Sequence, residues 1–181
     1  MMLDSQLEWV SHAGAPQSMV AGAGVTVPFN NIIDELGQGV GTAPANIIGN
    51  ATLFGADAGI GRFKLEAQIN IGTAFATSNV ATANFAIQVA PDLGAPTYQP
   101  GAWETAAETG AKPVAEMAAN TVIRMDLPPA PPLTQRPRYI RMVLLVPAAT
   151  NFTAGTVTFA GLVAGRDDQT NRQAAANYSV R

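Results

Sequence analysis

Ten consecutive residues, from Arg62 to Ile71, alternate strictly between polar and apolar side chains. A period of two places one kind of side chain on each face of an extended strand. It excludes an amphipathic helix, in which apolar residues recur every three or four positions. The segment is therefore predicted to be a β-strand of an antiparallel sheet that has one buried face and one face in water.

Four further segments have strand patterns, and glycine- and proline-rich stretches separate them. They are Asn84–Val89, Thr121–Leu127, Tyr139–Val146 and Gly155–Val163. Tyr139–Val146 is apolar on both faces, which is typical of a central strand covered on both sides. Shorter candidate strands are Thr26–Phe29, Ile47–Phe54 and Trp103–Thr105.

Helical signals are few. Glu104–Ala119 is rich in alanine and glutamate and allows one or two turns, interrupted at Pro113, and Asn31–Leu36 allows a single turn. Seven or eight short strands between turns predict an all-β fold, either a sandwich or a small barrel. Asn-Gly hairpin dipeptides are absent, so longer crossover connections are expected, and these favour a Greek-key or jelly-roll arrangement.

The chain shows no break in composition, so residues 1–181 are predicted to form a single domain. Residues 1–17 are interpreted as a possible N-terminal arm and residues 166–181 as a polar C-terminal tail. The first residues lack the basic and apolar regions of a signal peptide, and no apolar run approaches the roughly 20 residues that span a bilayer. We expect synthesis in a cytoplasm and no membrane partner.

Charged residues make up only 13% of the chain, whereas hydrophobic residues make up 48%. A free monomer normally needs surface charge for solubility, so part of this surface is expected to be covered by a partner. The alternative is a surface made soluble by threonine, asparagine, glutamine and serine. The net charge of −3 provides no basic stripe for phosphate groups, so nucleic-acid binding is not expected.

The sequence offers little for catalysis. His12 is the single histidine and there is no cysteine, which removes the commonest metal ligands and nucleophile–base pairs. The glycine-rich stretch Gly55–Gly61 runs directly into a predicted strand, whereas a dinucleotide site needs a helix there. We therefore expect a binding protein with no cofactor and not an enzyme. A cupin-like enzyme would need several histidines as metal ligands.

Five short segments resemble a family of tailed-phage capsid cement (decoration) proteins. They are Met2–Leu7, Ile33–Gly37, Asn84–Gln88, Arg136–Arg141 and Gly155–Thr158. The resemblance implies a jelly-roll fold and a structural virion protein on the capsid exterior, where it clamps neighbouring major capsid subunits. It also implies that copies of the chain associate, with a homodimer favoured over a trimer. The alternative functions are a carbohydrate-binding jelly-roll module and a head- or tail-associated module.

Two groups of residues are candidate contacts with the capsid or with a second copy. Leu3, Leu7 and Trp9 are apolar residues before the first long strand, where they either order on binding or belong to the core. Arg136, Arg138 and Arg141 form the one basic cluster of the sequence. These arginines either face an anionic partner surface or simply point outward where a strand begins.

Overall fold

The computed structural model describes residues 7–34, 65–77, 82–94, 99–126, 138–149 and 151–164. These residues contain thirteen β-strands and a short 3₁₀ turn at Val114–Glu116. The strands are β1 (Glu8–Val10), β2 (Gln17–Ser18), β3 (Thr26–Pro28), β4 (Ile33–Asp34), β5 (Leu65–Ile71), β6 (Ala76–Thr77), β7 (Thr82–Ala90), β8 (Glu104–Glu108), β9 (Lys112–Pro113), β10 (Val122–Asp126), β11 (Tyr139–Leu145), β12 (Phe152–Ala154) and β13 (Thr156–Ala164).

The strands form two antiparallel sheets that pack face to face. The first sheet has the order β1-β13-β5-β10, and β2 also pairs with β13. The second sheet has the order β3-β11-β7-β8, with β4 also paired to β11 and β9 to β7. Strands β6 and β12 form a separate two-stranded ribbon.

Eight of these strands define a jelly roll. When β1, β3, β5, β7, β8, β10, β11 and β13 are numbered from one to eight, the two sheets read 1-8-3-6 and 2-7-4-5. The first strand therefore pairs with the last, the second with the seventh, the third with the sixth, and the fourth with the fifth. This is the pairing of one long antiparallel hairpin rolled into a sandwich, and the predicted all-β jelly-roll fold is confirmed.

The core lies between the two sheets and consists mainly of inward-facing residues of their central strands. They are Ala67, Ile69 and Ile71 of β5, Phe85, Ile87 and Val89 of β7, and Ile140, Met142 and Leu144 of β11. Trp9 of β1 is fully buried among them, and its indole Nε1 donates a hydrogen bond to the backbone oxygen of Ile140 at 3.2 Å. Because β1 and β11 belong to different sheets, this bond links the two layers.

Phe75 packs against two other phenylalanines in the core. The ring of Phe75 packs edge-to-face against Phe85 and Phe152, with centroid distances of 6.1 and 5.3 Å. Gly155 lies directly against the ring of Phe75, since a Cβ at this position would come within 2.9 Å of it. The φ of Gly155 is 142°, which L side chains rarely adopt. Glycine is therefore required here by both the backbone and the packing.

The five long alternating segments are confirmed as β5, β7, β10, β11 and β13, with the inward faces that their patterns predict. The short prediction Thr26–Phe29 corresponds to β3. The helical interpretation of Glu104–Ala119 is wrong over its first residues, which form the edge strand β8, and only one 3₁₀ turn follows. Ile33 and Asp34 form β4 and not a turn. Ile47–Phe54 lies outside the described residues.

Part of the segment interpreted as a possible N-terminal arm is paired within the first sheet. Strand β1 pairs with β13, and Gln17 of β2 also lies opposite β13. The first six residues and the predicted tail at 166–181 lie outside the described residues. Among the residues described, the structure contains no helix of the length and hydropathy that crossing a membrane requires.

Candidate functional site

Strand β11 has apolar side chains on both of its faces. Ile140, Met142 and Leu144 point into the core, so Tyr139, Arg141 and Val143 lie on the opposite face, which we call the outer face of the second sheet. The neighbouring strand β7 places Ala90, Gln88 and Ala86 directly beside them. Tyr139, Val143, Ala86 and Ala90 are all buried, although none of them belongs to the core between the sheets.

Arg138 forms a buried ionic centre at the edge of this face. Its Nε and Nη2 donate to the two carboxylate oxygens of Asp34, each at 2.9 Å, and its Nη1 donates to Oδ2 of Asp92 at 2.6 Å. Asp34 ends β4, Asp92 follows β7, and Arg138 precedes β11. One guanidinium therefore joins three segments that are distant in sequence, in the planar geometry that arginine offers to carboxylates.

The ionic centre and the burial around it shift the pKa values of Arg138 and Tyr139. The hydrogen bonds that Arg138 donates to Asp34 raise the pKa of Arg138 above its usual value, despite the opposing effect of burial. Burial raises the pKa of Tyr139 to about 12, and the charge of Arg138 partly opposes this rise. The guanidinium of Arg138 also lies 4.9 Å from the ring centroid of Tyr139. Arg138 therefore stays charged at neutral pH, and its three hydrogen bonds make it a fixed structural element.

Arg141 occupies the middle of the outer face in a different environment. Its guanidinium carbon lies 4.1 Å above the ring centroid of Trp103, within the range of a cation–π contact. Its Nε and Nη2 both donate to Oε1 of Gln88, at 3.0 and 2.8 Å. Nε2 of Gln88 in turn donates to the hydroxyl of Thr105 at 3.4 Å. Burial lowers the pKa of Arg141 from its usual value, because desolvation disfavours the charged form.

Trp103 packs against a small hydrophobic cluster. It lies just before β8, and the cluster consists of Ile32, Ala90 and Tyr139. The indole remains partly exposed, as does Arg141. We call Arg141, Trp103 and Gln88 the Arg–Trp group. Its aromatic ring and its cation are fixed before any partner arrives, which lowers the entropic cost of binding.

The outer face of the first sheet carries a different set of polar groups. Glu8 is buried there, and its Oε1 lies 2.6 Å from Nδ1 of His12. Gln68 donates from Nε2 to Asn70, while its buried Oε1 has no hydrogen-bond partner among the described residues. We find no aromatic–cation contact among the described residues of this face. The Arg–Trp group is therefore the better candidate for recognition of a partner.

The six residues predicted as contacts differ in their burial and position in the structure. Arg141 is partly exposed and belongs to the Arg–Trp group. Arg138 is buried and satisfied by two aspartates, and Trp9 is fully buried, so neither presents its side chain at the surface of the subunit. Leu7 packs partly buried against the core. Leu3 and Arg136 lie outside the described residues.

Trp103 and Gln88 are not among the contact residues that the sequence predicts. Trp103 only begins the short candidate strand Trp103–Thr105, and Gln88 lies within the predicted strand Asn84–Val89. The signal that unites them with Arg141 is the register between β7 and β11, which sets Arg141 opposite Gln88. A single sequence does not contain this register.

No protein-family model and no characterised protein matches the amino-acid sequence at a significant level. Within the described ranges, no three histidine, aspartate or glutamate side chains are grouped so that they would hold a metal ion. A function for this chain is therefore inferred from the geometry of the Arg–Trp group and from the chemistry of the face around it.

Proposed function

We propose that this chain is a structural virion protein, which binds the outer surface of a phage capsid and clamps neighbouring major capsid subunits. The observation that carries the proposal is the Arg–Trp group. It places a partly exposed tryptophan and arginine on a sheet face beside buried residues such as Tyr139, Val143 and Ala90. Tryptophan and arginine are the residue types that most often dominate the energy of protein interfaces.

Three of the five resembling segments lie in the second sheet. Ile33–Gly37, Asn84–Gln88 and Arg136–Arg141 include residues of β4, β7 and β11, whereas Gly155–Thr158 includes residues of β13 in the first sheet. The jelly roll is also an architecture that viral capsid domains use, although it serves lectins and cupins as well. The fold alone therefore does not choose the function, and the proposal depends on the site.

The low charge of the chain fits a protein that works in many copies. On a repeating lattice, each copy needs only a modest interface, because many identical contacts act together on the same shell. We propose the major capsid protein as the partner and a homodimer, with a trimer as the alternative, as the bound form. Light scattering over a range of protein concentrations tests the proposed homodimer, since a monomer mass at all concentrations would reject self-association.

A carbohydrate-binding module is the second candidate, and the partial exposure of Trp103 favours it. Sugars commonly bind to an open aromatic face, but the guanidinium of Arg141 already lies 4.1 Å over one face of this ring. The group is therefore better suited to a protein surface than to a stacked sugar ring. A glycan array would separate the two functions, because specific glycan binding would favour the module.

Co-sedimentation with phage heads that were assembled without this chain tests the proposed function. We expect saturable binding at a fixed ratio to the major capsid protein, and decorated heads that survive heating better than bare heads. Unexpanded heads serve as the matched control for a site created by capsid maturation. Absence of binding to intact expanded heads would reject the capsid function and direct attention to tail, fibre and glycan partners.

A further inference from the structure

Four lysine or arginine side chains lie in the described residues, and they differ in their counter-ions. Lys112 lies 3.2 Å from Glu116, Arg124 lies 4.0 Å from Glu66, and Arg138 binds two aspartates. Within the part of the chain that the structure describes, Arg141 is the one cation that forms no ion pair with a carboxylate. Its contacts are the ring of Trp103 and the amide oxygen of Gln88.

The geometry of Arg141 leaves donors available in a fixed direction. Gln88 takes hydrogens from Nε and Nη2, whereas Nη1 makes no hydrogen bond to the described residues. The stack on Trp103 fixes the plane of the guanidinium. A partly buried guanidinium with free N–H groups and no counter-ion is an incomplete charge pair, because arginine favours bidentate contact with a carboxylate.

We propose that the Arg–Trp group receives the carboxylate of an aspartate or glutamate side chain on the protein to which this chain docks. This inference rests on the proposed function and names the chemistry of its partner. The free N–H groups of Arg141 donate to the carboxylate oxygens, while Trp103 covers the other face of the guanidinium and excludes water. A phosphate-rich polymer fits less well, because it needs several cations and the chain carries a net charge of −3.

A peptide titration tests the carboxylate site without any phage material. The probes are acetyl-tetraglutamate amide and, as the neutral control, acetyl-tetraglutamine amide. NMR spectroscopy follows the indole N–H of Trp103 and the Nε–H of Arg141, and the buried indole of Trp9 is an internal reference. We expect a saturable shift of both Arg–Trp signals with millimolar glutamate peptide only. Equal shifts with both peptides, or no shift with either, would overturn the proposal.

Variants extend the test to the capsid surface. We expect Arg141→Gln to weaken binding to heads about tenfold to a hundredfold, the effect of losing a hydrogen-bonded charge pair. Arg141→Lys should give an intermediate loss, because it keeps the charge without the planar fork. Arg124→Gln removes the same charge from the first sheet and should leave binding unchanged within twofold. Thermal melts of each variant check that the fold is intact.

The two experiments distinguish failure of this inference from failure of the proposed function. If the wild type binds heads and Arg141→Gln binds them equally well, the carboxylate contact is refuted and the capsid function stands. If the wild type does not bind heads but Trp103 responds to the glutamate peptide, the capsid function is refuted and the carboxylate site stands.

Discussion

The buried ionic centre yields a stability prediction that can be worked through from its geometry. Replacing Arg138 by methionine keeps most of the volume and removes three charge-assisted hydrogen bonds to Asp34 and Asp92. The Arg138 side chain is only 6% exposed, so no solvent-screened surface pair is being removed. The substitution leaves the two mostly buried carboxylates without their cation.

The expected cost follows from how buried the carboxylates are. Breaking a buried ion pair by removing one partner costs about 3–5 kcal/mol. The Asp34 and Asp92 side chains are 13% and 18% exposed, so water can partly hydrate them once Arg138 is removed. We therefore expect about 3 kcal/mol, the lower end of that range. For a domain of this size, this loss lowers Tm by about 6–12 °C.

Urea denaturation followed by circular dichroism measures the change, and the chain provides a matched control. Arg124 is 54% exposed and lies 4.0 Å from Glu66, so Arg124→Met should cost no more than about 0.5 kcal/mol. Combining Arg138→Met with Asp34→Asn and Asp92→Asn should restore at least half of the lost stability, because the unpaired charges are gone. Equal costs for Arg138→Met and Arg124→Met would refute the assignment of Arg138 as a structural centre.

Two further predictions concern the packing around the sheets. Tyr139 is neutral in the folded and in the unfolded chain below pH 10. Above pH 10 it ionises first in the unfolded chain, since burial raises its pKa in the folded chain to about 12. The free energy of unfolding should therefore fall by about 1.4 kcal/mol per pH unit between pH 10 and 12, and urea titrations of Tyr139→Phe should not show this fall. Gly155→Ala should cost about 2–4 kcal/mol in the same assay, because its Cβ meets Phe75 and its φ is 142°. A cost below 1 kcal/mol would contradict the packing described for Gly155.

Most of the long strands could be predicted from the sequence because burial of one face imposes a period of two over five residues or more. Strand β11 is buried on both faces and was predictable from its continuous apolar run. Strands of two or three residues carry no period. Glu8–Val10 is buried at all three positions, and Gln17–Ser18 is polar, so neither shows alternation. Glu104–Glu108 has the composition of a helix, yet pairing with β7 holds it as an edge strand. Tertiary contacts outweigh local propensity there.

The candidate site was predictable only in part. The clustering of Arg138 and Arg141 was visible in the sequence, but their different roles were not. Arg138 finds its carboxylates 104 and 46 residues away in sequence, at Asp34 and Asp92. Trp9 presented a similar ambiguity, since an apolar residue near an end of the chain suits a core as well as an interface. The register between strands that are distant in sequence decides which of these side chains are buried. That register exists only in the folded sheets.

The pairing of β1 with β13 also determines when this protein can fold. The residues of β1 are synthesised before those of the other described strands, but their partners Ala160 and Gly161 are made about 150 residues later. Until then the first sheet lacks the strand that joins β1 to β5, and Trp9 has no closed core to enter. Contacts of such long sequence separation form slowly. The chain therefore completes the core between its two sheets only after β13 has been synthesised.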